Sequence, residues 1–151
     1  MNSLDHYLVF SLDRRRHALP LSVVERVIRA VEIMPLPNSA DDVLGVINVQ
    51  GRIIPVLSLR KRFGLEERPV HPEDQIIITS SVLGSVSLLV DAALGVITLP
   101  RSLDLFPEDT PPCTSQSQQV ITVDEEMVLF HKPERLIEAK PFERVTEALQ
   151  L

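Results

Sequence analysis

Hydrophobic and polar positions alternate in short blocks along this chain, and the stretch around which the others are organised runs from Val43 to Phe63, VLGVINVQGRIIPVLSLRKRF. Two Val- and Ile-rich runs flank a Gln50-Gly51 pair, and the second run passes into a basic segment that stops at Gly64. The pattern predicts a hairpin followed by a short helix with glycine at its end. Leu44, Val46 and Val49 in the first run, and Ile53, Ile54, Val56 and Leu57 in the second, leave little room for polar alternation. Such a hairpin is expected to be covered on both faces. Pro55 lacks a backbone donor, which points to a sheet edge or a bulge.

Upstream, Tyr7 to Leu12 (YLVFSL) predicts a strand, Asp13 to Arg16 a polar turn and His17 to Leu21 (HALPL) the returning strand. Ser22 with Glu25 three residues on has the form of a capping box, which would start a short helix at Val23. The β-branched residues Val27, Ile28 and Val31, followed by Pro35 and Pro37, limit that helix and suggest another strand. Asn38 to Asp42 reads as a loop. After Gly64 the charged EERPVHPED segment reads as a connector.

The pattern then restarts. Gln75 to Ser80 and Ser85 to Val90 predict a second pair of strands, and Asp91 stands where Ser22 stood: Tyr7 to Ser22 and Ile76 to Asp91 are both separations of 15 residues. Both end points are residue types that cap helices. Val46 to Val49 and Val120 to Val123 each precede a polar turn, an apolar strand (Ile53 to Leu57, Met127 to Phe130) and a short helix. The chain is an internal duplication at the level of pattern. Between the matched pieces of the second copy, Arg101 to Gln119 is a longer loop rich in Pro, Ser, Thr and Gln, expected to be exposed and mobile. Phe142, Val145 and Leu149 have helical spacing and predict a terminal helix over 138–151.

Two copies of a short-stranded unit with Gly and Pro turns imply a mainly β protein of two small barrels, approximately 17–65 and 75–137. Each copy is small for an independent core, so a shared core or an exchanged N-terminal strand is expected.

Charge and composition narrow the function. The 151 residues carry a formal net charge of -6, with basic residues scattered apart from Arg14 to Arg16 and Arg60 to Arg62, which argues against a nucleic-acid partner. The single Cys113, in a Pro- and Thr-rich stretch, has no partner for an intrachain disulfide and suits a reducing compartment; the cytosol is expected. Asp5 and His6 interrupt the place of a signal-peptide centre. The apolar tract Val82 to Leu99 contains Asp91, two glycines and several Ser or Thr residues, and reads as two strands and not as a membrane span. His6, His17, His71 and His131 lack the close spacing of metal ligands. The acids Asp41-Asp42, Glu108-Asp109 and Asp124 to Glu126 fall in expected turns, where solvated charge is ordinary. No G-x-S-x-G, G-x-G-x-x-G, P-loop or C-x-x-C is present. No catalytic residue, metal or cofactor is expected.

The ordered set YLVFSL, ALPL, SVVERV, MPLPNS and VLGVINVQGRIIPVLSLRKRFGL resembles the CheW family of chemotaxis coupling proteins, from about Tyr7 to Ile137. The resemblance implies two SH3-like five-stranded barrels and a non-enzymatic adaptor linking the cytoplasmic tip of a methyl-accepting chemoreceptor to the regulatory domain of a CheA-like histidine kinase. It implies recruitment to receptor arrays without insertion into the membrane. Receptor contact would fall on Val24, Arg26 and Ile28 and on Asn48, Gln50 and Arg52; kinase contact would be sought on the second barrel and the helix after the hairpin. Val24 and Ile28 also read as core residues, and Gln50 as a simple turn residue.

This chain departs from the family pattern at four positions: Arg26 replaces a frequent Glu, Gln50 a frequent Arg, and Ser58 and His131 replace acids. The first two changes alter the charge of the implied receptor surface and point to a specialised array, or a system controlling something other than flagella. The alternative is a double-barrel module that binds the kinase without a receptor, as array filler or inhibitor. A small-molecule-binding barrel would need a pocket with converging polar groups.

Overall fold

The computed structural model describes residues 3–37, 42–82, 84–101, 103 and 118–136. Ten strands follow in order: β1 (Leu4–Leu12), β2 (Arg15–Pro20), β3 (Val24–Arg29), β4 (Val43–Val49), β5 (Arg52–Ser58), β6 (Gln75–Ser81), β7 (Gly84–Val90), β8 (Ala92–Pro100), β9 (Gln118–Val123) and β10 (Glu126–His131). Two single-turn helices, α1 (Leu59–Arg62) and α2 (Pro133–Leu136), follow β5 and β10.

The strands form two five-stranded sheets of the SH3-like barrel type, ordered β8-β1-β2-β10-β9 and β3-β6-β7-β5-β4. Sheet membership cuts across the ranges 17–65 and 75–137 expected from the sequence. The β1-β2 hairpin of the first copy lies with β8, β9 and β10, while the β6-β7 hairpin of the second lies with β3, β4 and β5. Whole hairpins are therefore exchanged, where a shared core or a single exchanged N-terminal strand was expected. The seams are two parallel pairings, β2 with β10 and β5 with β7.

The exchange explains why the strands are apolar on both sides. Leu8, Phe10 and Leu12 of β1 join a core shared between the units with Leu57, Ile77 and Leu88. The intervening Tyr7 and Val9 pack with Ala18, Val128 and Phe130 inside one unit. Ile47, Ile54, Val56, Ile76 and Ile78 fill the other. The β4-β5 hairpin is covered along most of its length, but Ile53, next to its turn, is 47% exposed.

Local chemistry sets the turns. Gln50 and Gly51 both adopt positive φ (51° and 87°), as do Asp13 with Arg14 and Asp124 with Glu125, the form of two-residue hairpin loops. Ser58 caps α1 by accepting the Lys61 N–H, and Gly64 closes it at φ 70°. Pro55 is neither at an edge nor a bulge residue: β5 has β4 on one side and β7 on the other. The parallel ladder to β7 begins at Val56, so Pro55 precedes it and needs no donor, while its carbonyl accepts from the Ser87 hydroxyl at 2.8 Å.

Two expected helix starts are absent. Leu21–Val23 is a single 3-10 turn with no side-chain cap, and β3 begins at Val24. Asp91 is followed directly by β8. β-branched residues around both positions favour strand over helix. Cys113, the tail over 138–151 and most of the expected 101–119 loop lie outside the described residues.

Candidate functional site

The hairpin turn and the edge strand β3 hold the residues implied in receptor contact. Asn48 is exposed, and its Oδ1 accepts the Gly51 N–H at 2.8 Å, which fixes the turn. Gln50 and Arg52 are exposed beside it. The Arg52 guanidinium reaches Glu25 Oε2 at 3.5 Å and also donates to the Ser85 hydroxyl, which donates in turn to Glu25 Oε1 at 2.7 Å. This three-residue bridge joins β5, β7 and β3, although β3 and β5 are not neighbours in the sheet.

Glu25 is an extra residue in the ladder: Val24 pairs with Thr79 and Arg26 with Ile78, so Glu25 forms a bulge. The bulge inverts the alternation of faces. Val24 packs with Val27 on the shared core, whereas Ile28 packs on the core of its own unit. Val24, Arg26 and Ile28 therefore do not form one face. Both apolar residues are partly buried, and Arg26 is exposed with no ion pair among the described residues.

Glu25 and Ser85 were missed by sequence reasoning because Ser22 and Glu25 matched a capping box. The available signal was the β-branched run that begins at Val23 and disfavours helix.

A second polar cluster lies at the crossing between units. Asp91 accepts from the Asp13 N–H at 2.8 Å, from Arg60 at 3.0 and 3.2 Å and from Arg68 at 2.8 Å. Burial pushes its carboxyl up, but the Asp13 N–H and the two guanidinium groups outweigh this and hold it below its ordinary value. Asp74, 4% exposed, is satisfied by Arg68 and the His71 N–H. The Asp74 hydrogen bond is the chief cause of the raised Arg68 pKa. These groups line an open cleft of about 330 Å³. Their charges are spent on one another, so the cleft does not present converging free polar groups to a small molecule.

The third polar feature is buried. His17 Nδ1 and His131 Nε2 are 2.9 Å apart, and Phe10 and Phe63 stack on His17. Burial, then Arg15, lowers His17 to about 4; burial, then His17, lowers His131 to about 3. Both rings are neutral at pH 7, one donating to the other. If His17 donates, its Nε2, which has no partner, is left as an acceptor; this is the less costly tautomer. No group of three or more His, Cys, Asp or Glu among the described residues is placed to hold a metal ion.

Comparison with known proteins gives this architecture its family. The CheW-like domain model matches residues 6–140. The chain belongs to the CheW-like domain family. It is 31% identical over 134 residues to the chemotaxis protein CheW of Thermotoga maritima, covering 87% of this chain and 86% of that one. It is 30% identical over 123 residues to CheW of Bacillus subtilis, covering 81% and 79%. The crystal structure of the scaffolding protein TtCheW from Thermoanaerobacter tengcongensis superposes with a TM-score of 0.76 at 28% identity, covering 93% of this chain and 96% of that one. The CheW-like fold thus accounts for the two five-stranded units, and the family is one of scaffold and adaptor proteins. No helix among the described residues is long and apolar enough to cross a membrane.

Proposed function

We propose that this chain is a non-catalytic, cytoplasmic adaptor that couples chemoreceptors of the methyl-accepting type to the regulatory domain of a CheA-like histidine kinase, within a specialised array. The observation that carries this reading is the CheW-like domain over residues 6–140. The exposed hairpin turn suits the role: Asn48, Gln50 and Arg52 present polar groups beside the partly exposed Ile53, a surface that a receptor helix can cover.

The specialised partner is inferred from charge. Arg26 and Gln50 stand where the family often carries Glu and Arg, and the carboxylate of this surface is instead Glu25, held by Arg52 and Ser85. A receptor matched to this chain must meet Arg26, which has no ion pair among the described residues, with an acid of its own. Val24 and Ile28 act mainly by packing the strand that carries Arg26.

Titration calorimetry against a CheA-like regulatory domain and a receptor cytoplasmic fragment from the same genome tests the proposal. Binding to both is expected, with Arg26→Glu together with Gln50→Arg weakening the receptor complex about tenfold. Binding to the kinase domain alone would replace the coupling role by that of an array filler or inhibitor. Binding to neither would overturn both readings, and unchanged receptor affinity in the double variant would remove the specialised partner.

A further inference from the structure

In the bridge between Glu25, Ser85 and Arg52, the direct ion pair is the long contact and the hydroxyl makes the close ones. The Arg52 guanidinium and the Glu25 carboxylate approach only to 3.5 Å, beyond the usual N–H···O range of roughly 2.7–3.2 Å. The Ser85 hydroxyl donates to Glu25 Oε1 at 2.7 Å and accepts from the second terminal nitrogen of Arg52. That direction is fixed by chemistry: a carboxylate only accepts and a guanidinium only donates, so the single hydroxyl proton is given to Glu25. Two long, flexible charged side chains are thereby tied to one short side chain.

The register explains why Ser85 occupies this place. It pairs with Ser80, close to the turn of the β6-β7 hairpin. The bulge at Glu25 falls beside this end, between the pairings of Val24 with Thr79 and Arg26 with Ile78. A bulge re-aims its side chain, and here the carboxylate passes β6 to reach β7. On the other flank, Arg52 opens β5 directly after the Gln50-Gly51 turn. Ser85 is thus the point at which the hairpin turn is tied to β3. The Arg52 side chain is 57% exposed against 31% for Glu25, so the guanidinium stays accessible while a less exposed carboxylate matches its charge. Among the described residues two of its N–H donors are engaged, and the others remain for a partner.

Resting on the adaptor reading above, we propose that Ser85 is a positioning residue for receptor recognition: its hydroxyl holds Arg52 as an oriented hydrogen-bond donor whose charge is already matched. Such a donor fits a neutral acceptor on the receptor helix, the oxygen of a side-chain amide or hydroxyl. The acid of that helix is left to Arg26, which has no ion pair among the described residues. Ordering Arg52 before the partner arrives removes part of the entropy that binding would otherwise have to offset. Ser85 itself need not touch the receptor.

Titration calorimetry against the receptor cytoplasmic fragment, at low and at high salt, tests this. Ser85→Ala should weaken the receptor complex about fivefold with an unchanged salt dependence, because orientation is lost and no charge is removed. Ser85→Thr keeps the hydroxyl on a residue that suits a strand, and should bind as the parent chain does. In an Arg52→Gln background Ser85→Ala should have no further effect, since the hydroxyl acts only through Arg52. Affinity of Ser85→Ala for the CheA-like regulatory domain should match that of the parent, which a general loosening of the fold would not allow. Parent affinity for the receptor in Ser85→Ala, an equal loss in Ser85→Thr, a loss that persists beside Arg52→Gln, or one shared with the kinase domain would each overturn the proposal and leave the coupling role standing. A parent chain that does not bind the receptor fragment at all would remove that role, and the positioning role with it.

Discussion

Glu25 on β3 and Leu94 on β8 are 69 residues apart, as are Arg16 and Ser85, and each pair occupies one place in the duplicated pattern. Both strands have their ladder interrupted there: Glu25 is the extra residue against β6, and Leu94 the extra residue against β1, where Val9 and Phe10 pair with Gly95 and Ala93. In one unit the bulge carries the acid, bridged through Ser85 to Arg52. In the other, Arg16 stands in the place of Ser85 and pairs with Glu126 at 2.5 Å, in the place of Arg52. The ion pair is then complete between β2 and β10, and the bulge is left to an exposed leucine. The same backbone irregularity thus protects one sheet edge with charge and leaves the other apolar.

The largest effect of a single substitution expected from this comparison concerns Gly45 and its counterpart Gln119. Met34 and Val46 exchange backbone bonds of 2.8 and 2.9 Å across β4, which brings the chain against Gly45. A Cβ there would lie 2.2 Å from the Met34 carbonyl oxygen, at a φ of +153°. Gly45→Ala should cost about 3 kcal/mol or more in urea denaturation, because backbone and not a flexible side chain must move. Gln119→Ala, at an exposed position, should stay within about 0.5 kcal/mol. Equal costs would mean that the approach of Met34 is not maintained.

Next is the buried imidazole pair, whose counterparts in the other unit are Val86 and Leu57, both buried and aliphatic. His17 is lowered to about 4 and His131 to about 3, whereas in the unfolded chain both titrate near 6.5. Between these values the unfolded chain binds more protons, so stability is full above roughly pH 6.5 and falls as the pH drops through about 4. By pH 4 each ring accounts for a loss of about 3 kcal/mol, so the pair is expected to cost roughly twice that. Installing the residues of the other copy, His17→Val with His131→Leu, should flatten the slope between pH 7 and pH 4. An unchanged slope would assign the acid sensitivity to the carboxylates instead.

Asp91 and Ser22 are a third corresponding pair. Asp91 gathers Arg60, Arg68 and the turn of the exchanged β1-β2 hairpin, so Asp91→Ala leaves two guanidinium groups and an N–H without their shared acceptor. A cost of about 2 kcal/mol is expected, reduced from that of a fully buried pair because the side chain is 27% exposed. Ser22→Ala, lacking any cap bond, should be nearly neutral. A larger loss at Ser22 would restore the helix start that the sequence suggested.

The duplication was legible because its 15-residue spacing and its turn residues recur without a gap, and the hairpin at Gln50-Gly51 was legible because its turn needs positive φ. The exchange of hairpins was not. It depends on which strand meets which across a long connection, and two copies of one pattern carry no local signal for that choice. Asp91 looked like a cap because its true partners, Arg60 and Arg68, are 31 and 23 residues away. Glu25 was hidden by the likeness of Ser-x-x-Glu to a capping box, whose acid the strand uses in another way.

The smallest effect on stability, and the sharpest on function, belongs to Glu25. The Glu25–Arg52 contact is exposed, and Glu25→Gln should change stability by less than about 1 kcal/mol. Arg16→Gln should do the same to the Arg16–Glu126 pair of the other unit. The two differ in what they do to partners. Removing the Glu25 charge leaves Arg52 free beside Arg26, so the proposed receptor surface gains net positive charge, and affinity for a receptor fragment should shift by about threefold or more with a stronger dependence on salt. Arg16→Gln lies in the unit without that surface and should leave receptor binding unchanged. A shift at Arg16 as large as that at Glu25 would show that the receptor reads both units, and that the charged bulge of β3 does not single out its own.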